Sequence, residues 1–168
     1  MPEESISIQP FTPDMADRVG RLVVAIQRDE FKVPIGLDDQ PDLIDIPGHY
    51  QKAAGGFWIA VTDDGRVVGS IGLLDIGGNL SALRKMFVAA DYRGSEWGIA
   101  KSLLDALLAH ARTQSLSAIY LGSTAVMARA HRFYEKNGFH KIDRADLPEQ
   151  FPVMDVDSHF CRLKLNDS

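Results

Sequence analysis

Apolar residues alternate with polar ones at the start of the chain and then recur at helical spacing. Ile6 and Ile8 alternate with polar neighbours across Ser5 to Phe11, which predicts a half-buried strand. A helix is predicted to begin near Pro13 and to run to about Glu30, because apolar residues return every three or four positions at Met15, Val19, Leu22, Val23 and Ile26. The chain therefore opens with a strand and an amphipathic helix.

The middle of the chain predicts three strands joined by tight turns. The strands are Phe57 to Thr62, Val67 to Ile76 and Leu80 to Ala89. The turns at 63–66 and 77–79 contain Asp-Gly and Gly-Gly-Asn, residues that tolerate the positive φ of hairpin turns. Connections this short predict an antiparallel meander.

The second half predicts helices that alternate with strands. Helices are expected from Gly98 to about Gln114 and from Ala125 to Asn137, where Asn137-Gly138 is a typical helix stop. Strands are expected at Ala118 to Leu121, Phe139 to Ile142 and Val156 to Leu165. Together the elements predict an α/β fold, with a mixed, mainly antiparallel sheet of about seven strands and helices on both faces.

The segment from Val33 to Gly56 interrupts this regular pattern with prolines, glycines and acids. It predicts a long loop with one short helix near Leu43 to Ala54, and loops of this length are often functional lids. Its carboxylates could attract a cationic substrate or could simply be solvated, and solvation is the favoured interpretation: Asp38, Asp39, Asp42 and Asp45.

Composition narrows the class of protein. The 168 residues predict one domain covering 1–168, and 45% hydrophobic residues are enough for one core. A net charge of −5 argues against a nucleic-acid partner, and no apolar run is long enough to span a membrane. The N-terminus shows no secretory signal pattern, and Cys161 is the only cysteine, so a cytoplasmic location is expected. The five histidines lack metal-ligand spacing, so no metal is expected.

A glycine-rich segment between a strand and a helix predicts an anion site. Gly94 and Gly98 precede the helix, and Arg93 adds a guanidinium. The first amides of a helix lack intrahelical acceptors and lie at the positive end of its dipole, so they bind anions. The segment matches neither the P-loop nor the Rossmann fingerprint.

A second candidate lies near the end of the last predicted helix. Phe133 is expected to face the core, and Tyr134 should project about 100° away, toward the edge of the buried face. A phenol in that position can donate a hydrogen bond or a proton. A tyrosine on a helix is, taken alone, more often a packing residue.

Together these segments resemble the GCN5-related N-acetyltransferase (GNAT) superfamily over nearly the whole chain. The resemblance rests on Leu83 to Val88, on Tyr92-Arg93-Gly94, on Gly98-Ile99-Ala100 and on Phe133-Tyr134 with Gly138-Phe139. Two extra residues, placed around Glu96-Trp97, lengthen the family's loop motif. Met127 stands where many relatives carry an asparagine. The resemblance implies the acyl-CoA N-acyltransferase fold.

The resemblance also implies where acetyl-CoA binds as a co-substrate. The strand that ends at Val88 and the next one should splay apart, and the pantetheine arm would pair with the backbone of Met86 and Val88. An amide near Phe87 or Val88 could stabilise the oxyanion. The pyrophosphate would lie on the amides of the loop, and Lys101 or Arg129 could reach the other phosphates. The loop residues are Arg93, Gly94, Ser95, Glu96, Trp97, Gly98, Ile99 and Ala100.

The implied reaction moves acetyl from acetyl-CoA to a primary amine of a small molecule by direct attack. Tyr134 is predicted to be the general acid that protonates the CoA thiolate. No base can be singled out, and a water chain is an alternative to six candidates: Asp45, His49, Tyr50, Asp75, Asp157 and His159.

Other functions stay open from the sequence. One is a non-catalytic acyl-CoA-binding or sensor module of the same fold. Others are transfer of longer acyl groups and acetylation of a protein N-terminus or lysine. A homodimer is compatible with the family, but no exposed apolar stripe identifies an interface.

Overall fold

A computed structural model describes residues 5–30, 32, 35–94, 96–123, 128–153 and 158–165. Its strands are β1 (Ile6–Pro10), β2 (Gly56–Thr62), β3 (Val67–Gly77), β4 (Leu80–Val88), β5 (Ala118–Ser123), β6 (His140–Ile142) and β7 (His159–Lys164). Its α-helices are α1 (Ala16–Asp29), α2 (Pro41–Ile44), α3 (Ile46–His49), α4 (Ile99–Thr113) and α5 (Ala128–Lys136).

All seven strands form one sheet in the order β1-β2-β3-β4-β5-β7-β6. Every neighbouring pair is antiparallel except β4 and β5, which run parallel. This confirms the predicted sheet class and the meander of β2, β3 and β4. The hairpin turns have the expected positive φ, with Gly65 at 86°, Gly77 at 90° and Asn79 at 63°.

The helices cover both faces of the sheet, because the alternating strand residues bury apolar side chains on each side. On one face, Leu103 and Leu107 of α4 are fully buried against β2, β3 and β5. On the other, Val19 and Val23 of α1 pack with Phe57 and with α2 and α3. No helix of the described residues is long and apolar enough to cross a membrane.

The segment between α1 and β2 differs from its prediction. Instead of one helix reaching Ala54, it forms the single turns α2 and α3. Pro41 and Pro47 each lie in a first turn, where proline is tolerated, and Asp45 separates the turns and caps α3 by accepting the Gly48 amide at 3.0 Å. The prediction failed because two helix starts fall within seven residues.

The last strand is also shorter than predicted, since β7 begins at His159 and residues 154–157 lie outside the described part. The helix before β6 ends at Lys136, and Gly138 takes the predicted positive φ of 97°.

The parallel pair β4 and β5 holds together only at its beginning. Three positions pair, from Leu80 with Ala118 to Ala82 with Tyr120. Beyond them β4 continues to Val88 and β5 to Ser123 without pairing to each other. The strands therefore splay apart as predicted, which opens the middle of the sheet.

Candidate active site

The opening between β4 and β5 is the centre of a large cavity. The cavity has a volume of about 1270 Å³. Its wall includes Leu83 and Tyr134, which belong to the core on the α4 and α5 face, and Ile26 and Phe87, which belong to the core on the α1 face. The cavity therefore passes through the sheet, so a ligand in it can reach both faces.

Tyr134 contributes a buried polar group to this wall. The residue is only 5% exposed, and its ring lies edge-on to Phe133 and Phe139 at centroid distances of 5.7 and 5.5 Å. No hydrogen bond to its hydroxyl is found in the part of the chain that the structure describes. Burial raises the pKa of Tyr134 far above its ordinary value of 10.0, so the phenol keeps its proton at neutral pH.

The expected roles of the two neighbouring aromatics are reversed. Phe133 is only half-buried and lines the cavity, whereas Tyr134 lies deeper in the core. The chain reverses after α5, where the Phe139 amide donates to the Tyr134 carbonyl at 3.0 Å. That turn places the Phe139 ring against Tyr134, and the contact buries Tyr134.

At one end of the cavity lies the glycine-rich loop, called here the loop end (residues 93–101). Gly94 and Gly98 have φ of 108° and 64°, values that favour glycine. A Cβ on Gly94 would meet no atom within 4 Å, so its backbone φ, rather than crowding, requires glycine. Gly94 and Ala100 line the cavity, and Ile99 is buried beneath the first turn of α4.

The extra residues of this loop turn partly inward. The Trp97 ring lies tilted against Tyr92 with ring centroids 4.8 Å apart and packs against the core, while Glu96 is exposed. The Trp97 and Gly98 amides both donate to the Gly94 carbonyl, at 3.3 and 3.2 Å. The insertion therefore closes a tight turn in front of α4.

The two cations predicted for the loop end have protein partners. Arg93 donates to Glu30 through both terminal nitrogens, at 2.6 and 2.9 Å, and to the Val88 carbonyl at 2.8 Å. Lys101 is exposed, pairs with Asp105 and lies off the cavity wall. Ser95, Met127 and the side chain of Arg129 lie outside the described residues.

At the other end, β4 carries a bulge. Ser70 and Gly72 of β3 face Phe87 and Arg84, so β4 has one residue more than β3 in this interval. Lys85 takes the left-handed φ of 55°, and the Ser70 hydroxyl donates to its carbonyl at 2.7 Å. We call Arg84, Lys85 and their partners the bulge end of the cavity.

Lys85 is held in a nearly dry polar network. Its side chain is 10% exposed, and its ammonium donates to Gln40 at 2.7 Å and lies 3.5 Å from the Asp42 carboxylate. The Tyr50 hydroxyl donates to the same carboxylate at 2.5 Å, and Gln40 and Gln27 exchange amide hydrogen bonds. Burial lowers the pKa of Lys85, an effect that Asp42 partly opposes.

The comparisons with known proteins agree with this geometry. Residues 22–139 match the family model described as "Acetyltransferase (GNAT) family". The crystal structure of an acetyltransferase of the GNAT family from Staphylococcus aureus Mu50 is 38% identical, covers 96% of this chain and 100% of its own, and superposes with a TM-score of 0.91. This chain belongs to the GNAT acetyltransferase family.

Two other relatives extend the picture of this GNAT chain. The N-acetylaspartate synthetase of Xenopus tropicalis is 41% identical over 103 residues, which is 60% of this chain and 37% of that protein. The matched stretch is thus little more than a third of the curated relative. The PaiA N-acetyltransferase of Thermoplasma acidophilum, solved in complex with coenzyme A, shares the fold over 95% of this chain and 99% of its own, with a TM-score of 0.73 at 16% identity.

Four of the six candidate bases of this GNAT chain lie away from the cavity, and several of them have structural roles. Asp45 caps α3, and Asp75 accepts the amides of Ala54 and Gly77 at 3.0 and 2.8 Å. His49 is exposed, and the Tyr50 hydroxyl donates a hydrogen bond to Asp42. None of these four lines the cavity.

The remaining candidates lie near β7. His159 stacks on His131 at 4.5 Å, and His131 Nε2 lies 2.5 Å from the hydroxyl of Ser123, which lines the cavity. Asp157 is outside the described residues. Within the described ranges, no group of three or more His, Cys, Asp or Glu could hold a metal ion.

The bulge end of the cavity was not predicted from the sequence. The sequence favours a solvated acidic loop for Asp42, yet Asp42 pairs with Lys85, which lies 43 positions further along the chain. The available signal was Arg84-Lys85, two adjacent cations inside an otherwise apolar strand in the middle of the sheet. Nothing in the local pattern around Asp42 distinguishes it from its neighbouring carboxylates.

Proposed function

We propose that this GNAT chain, acting as one domain, transfers the acetyl group of acetyl-CoA to the primary amine of a small molecule. Transfer is by direct attack of the amine, and Tyr134 protonates the departing thiolate. The observation that carries the proposal is the protonated, buried hydroxyl of Tyr134 on the wall of a cavity that crosses the sheet. The family itself uses acetyl-CoA, which supplies the acetyl group on a thioester.

The donor fits the opening between β4 and β5. Among the described residues, the backbone of Met86 to Val88 has no strand partner on the β5 side, so an extended pantetheine arm can pair there. The pyrophosphate would lie on the amides at the start of α4, where Gly94 and Gly98 shape the loop. Arg93 would also bind the pyrophosphate, by giving up its contact with Glu30 for one with a phosphate.

The proposed acid step balances without a covalent enzyme intermediate. The amine nitrogen forms a bond to the thioester carbon, and the carbon–sulfur bond breaks. The thiolate takes the phenol proton of Tyr134, and the phenolate regains a proton released by the amine. Because burial disfavours a lasting phenolate, this return of the proton must follow closely.

The amine must lose a proton before it attacks. An alkylammonium has a pKa of about 10.4 and is not a nucleophile at neutral pH. The described base candidates Asp45, His49, Tyr50 and Asp75 lie off the cavity wall, which favours proton loss to water. The stacked pair His131 and His159 adjoins the cavity wall through the contact of His131 with Ser123.

A small acceptor agrees with the name of one group of relatives. The name N-acetylaspartate synthetase denotes a product made by acetylating the amine of a small amino acid. The net charge of −5 gives no support to a nucleic-acid ligand.

Replacing Tyr134 by Phe tests the acid. We expect kcat to fall by about 100-fold, the lower end of the effect of losing an acid–base group. Release of CoA thiol measures kcat, and isothermal titration should give an acetyl-CoA Kd within about 2-fold of the wild type, because the ring remains.

Tyr120→Phe is the matched control. Tyr120 is also a buried tyrosine, at 7% exposure, but it does not line the cavity. Its variant should keep wild-type kcat. Equal turnover in Tyr134→Phe and wild type would remove Tyr134 as the acid, and acetyl-CoA binding without turnover of any amine would indicate a binding module instead.

A further inference from the structure

The cavity is cationic although the chain as a whole is acidic. Its described wall carries six basic side chains and one carboxylate, Glu30, whereas the chain has a net charge of −5. The basic residues are Lys32, Arg84, Lys85, Arg93, Arg132 and Lys136. This concentration of charge indicates that the cavity binds anionic groups.

The phosphates of the donor do not account for the bulge end. Arg84 lies four positions before Val88 on β4, a path of about 13 Å if it were fully extended and somewhat shorter because of the bulge at Lys85. Arg93 and the loop end lie further along the chain still. If the phosphates of acetyl-CoA lie on the loop, they do not contact Arg84 and Lys85. These two charges are then available to the acceptor.

Lys85 is positioned to accept an anionic partner. An ammonium has three N–H donors, and its contacts with Gln40 and Asp42 use two. Arg84 lines the same cavity, and its charge acts on both Lys85 and Tyr50. A carboxylate at this place gains a charge-assisted hydrogen bond, whereas a cationic group is repelled.

We propose that the acceptor is an amino acid whose carboxylate is bound by Lys85 with the charge of Arg84 beside it. This inference rests on the proposed function, because it names the acceptor of the same reaction. It also bears on the missing base, since nearby positive charge favours the neutral form of the acceptor amine. The bulge end would then select the acceptor and ease its deprotonation.

The test compares amino acids with acceptors that lack the carboxylate. Thiol release is measured with saturating acetyl-CoA for the common L-amino acids, for their carboxamides and for spermidine. We expect the best amino acid to exceed its own amide in kcat/KM by at least about 10-fold. The amide carries the less basic amine, so its free-base fraction at neutral pH is larger, and simple amine reactivity would give the opposite order.

Variants of Lys85 and Arg84 test whether these residues cause the preference for amino acids over their amides. Lys85→Gln should raise the KM of the best amino acid by about 10-fold or more and reduce its advantage over the amide, and Lys85→Arg should restore part of it. Arg84→Gln should act in the same direction. Lys141→Gln, which removes an exposed charge on β6, should leave both acceptors unchanged.

A second readout separates the two proposals. The same acceptors are titrated into the complex of the protein with CoA, which binds without turning over. Preferential binding of amino acids without any thiol release would overturn the proposed function, and of this inference it would leave only the binding of a carboxylate at the bulge end. Turnover in which amides or spermidine match the amino acids would overturn this inference and leave the function standing. Neither binding nor turnover of any of these acceptors, spermidine and the amides included, would overturn both.

Discussion

The loop end and the bulge end of the cavity are built in different ways. The loop end depends on backbone: two glycines with positive φ, a tight turn and the first amides of α4. The bulge end depends on side chains that come from α1, from the α2 turn and from β4. Backbone sites can be shared by many sequences, whereas a side-chain site changes with each substitution. The difference suits a common donor at one end and a particular acceptor at the other.

The largest expected effect is on the stability of the bulge end, when the charge of Asp42 is removed. Asp42→Asn leaves the nearly buried Lys85 ammonium without its counter-ion, and we expect a loss of about 3 kcal/mol in the free energy of unfolding. Urea denaturation measures it. Replacing both charges, with Asp42→Asn and Lys85→Met, should recover part of the loss, because no unpaired charge then stays buried.

Asp45→Asn is the control for that cycle. It makes the same change three residues further along the chain, at an exposed cap where asparagine also accepts an amide, so it should cost only a few tenths of a kcal/mol. An equal cost for the two single variants would show that the bulge end is not dry.

Arg93→Gln probes the loop end with a smaller effect. We expect acetyl-CoA to bind about 10-fold more weakly, the value of one charge-assisted hydrogen bond. Glu30→Gln frees the guanidinium of Arg93 and should bind acetyl-CoA at least as tightly as the wild type. Calorimetry at low and high salt measures both. If Arg93→Gln binds acetyl-CoA as the wild type does, Arg93 has only a structural role, connecting α1 to β4.

The smallest expected effect is a loss of folding stability at alkaline pH, caused by the buried tyrosines on the two faces of the sheet. Burial raises the pKa values of Tyr50 and Tyr134 above 10.0, so above pH 10 the unfolded chain loses phenol protons that the folded chain keeps. Stability that is fully present below pH 10 is then lost as pH rises, by about 1 kcal/mol per tyrosine between pH 10 and 11.

The matching measurement is urea denaturation across that interval. Tyr134→Phe and Tyr50→Phe should each remove one such contribution, and the double variant both. Stability curves parallel to that of the wild type would show that these hydroxyls titrate normally.

The same division explains what could be predicted from sequence. Strand alternation, helix periodicity and glycine turns are local signals, and they located the strands of the sheet and the glycine-rich loop, whereas the splayed pair was expected only from the resemblance to the family. The bulge at Lys85 and its pairing with Asp42 depend on contacts between distant segments, which no local pattern encodes. The burial of Tyr134 likewise depends on Phe139, which returns only after the turn at Gly138.

The splayed pair of strands gives the sheet two edges in its interior. Beyond Ala82 and Tyr120, β4 and β5 present backbone groups that do not pair with each other, although β4 is the middle strand. Strand edges are templates for any extended chain. Amides along this seam should therefore exchange with deuterium as those of a peripheral strand do, and an extended ligand seated there would act as an eighth strand that slows the exchange.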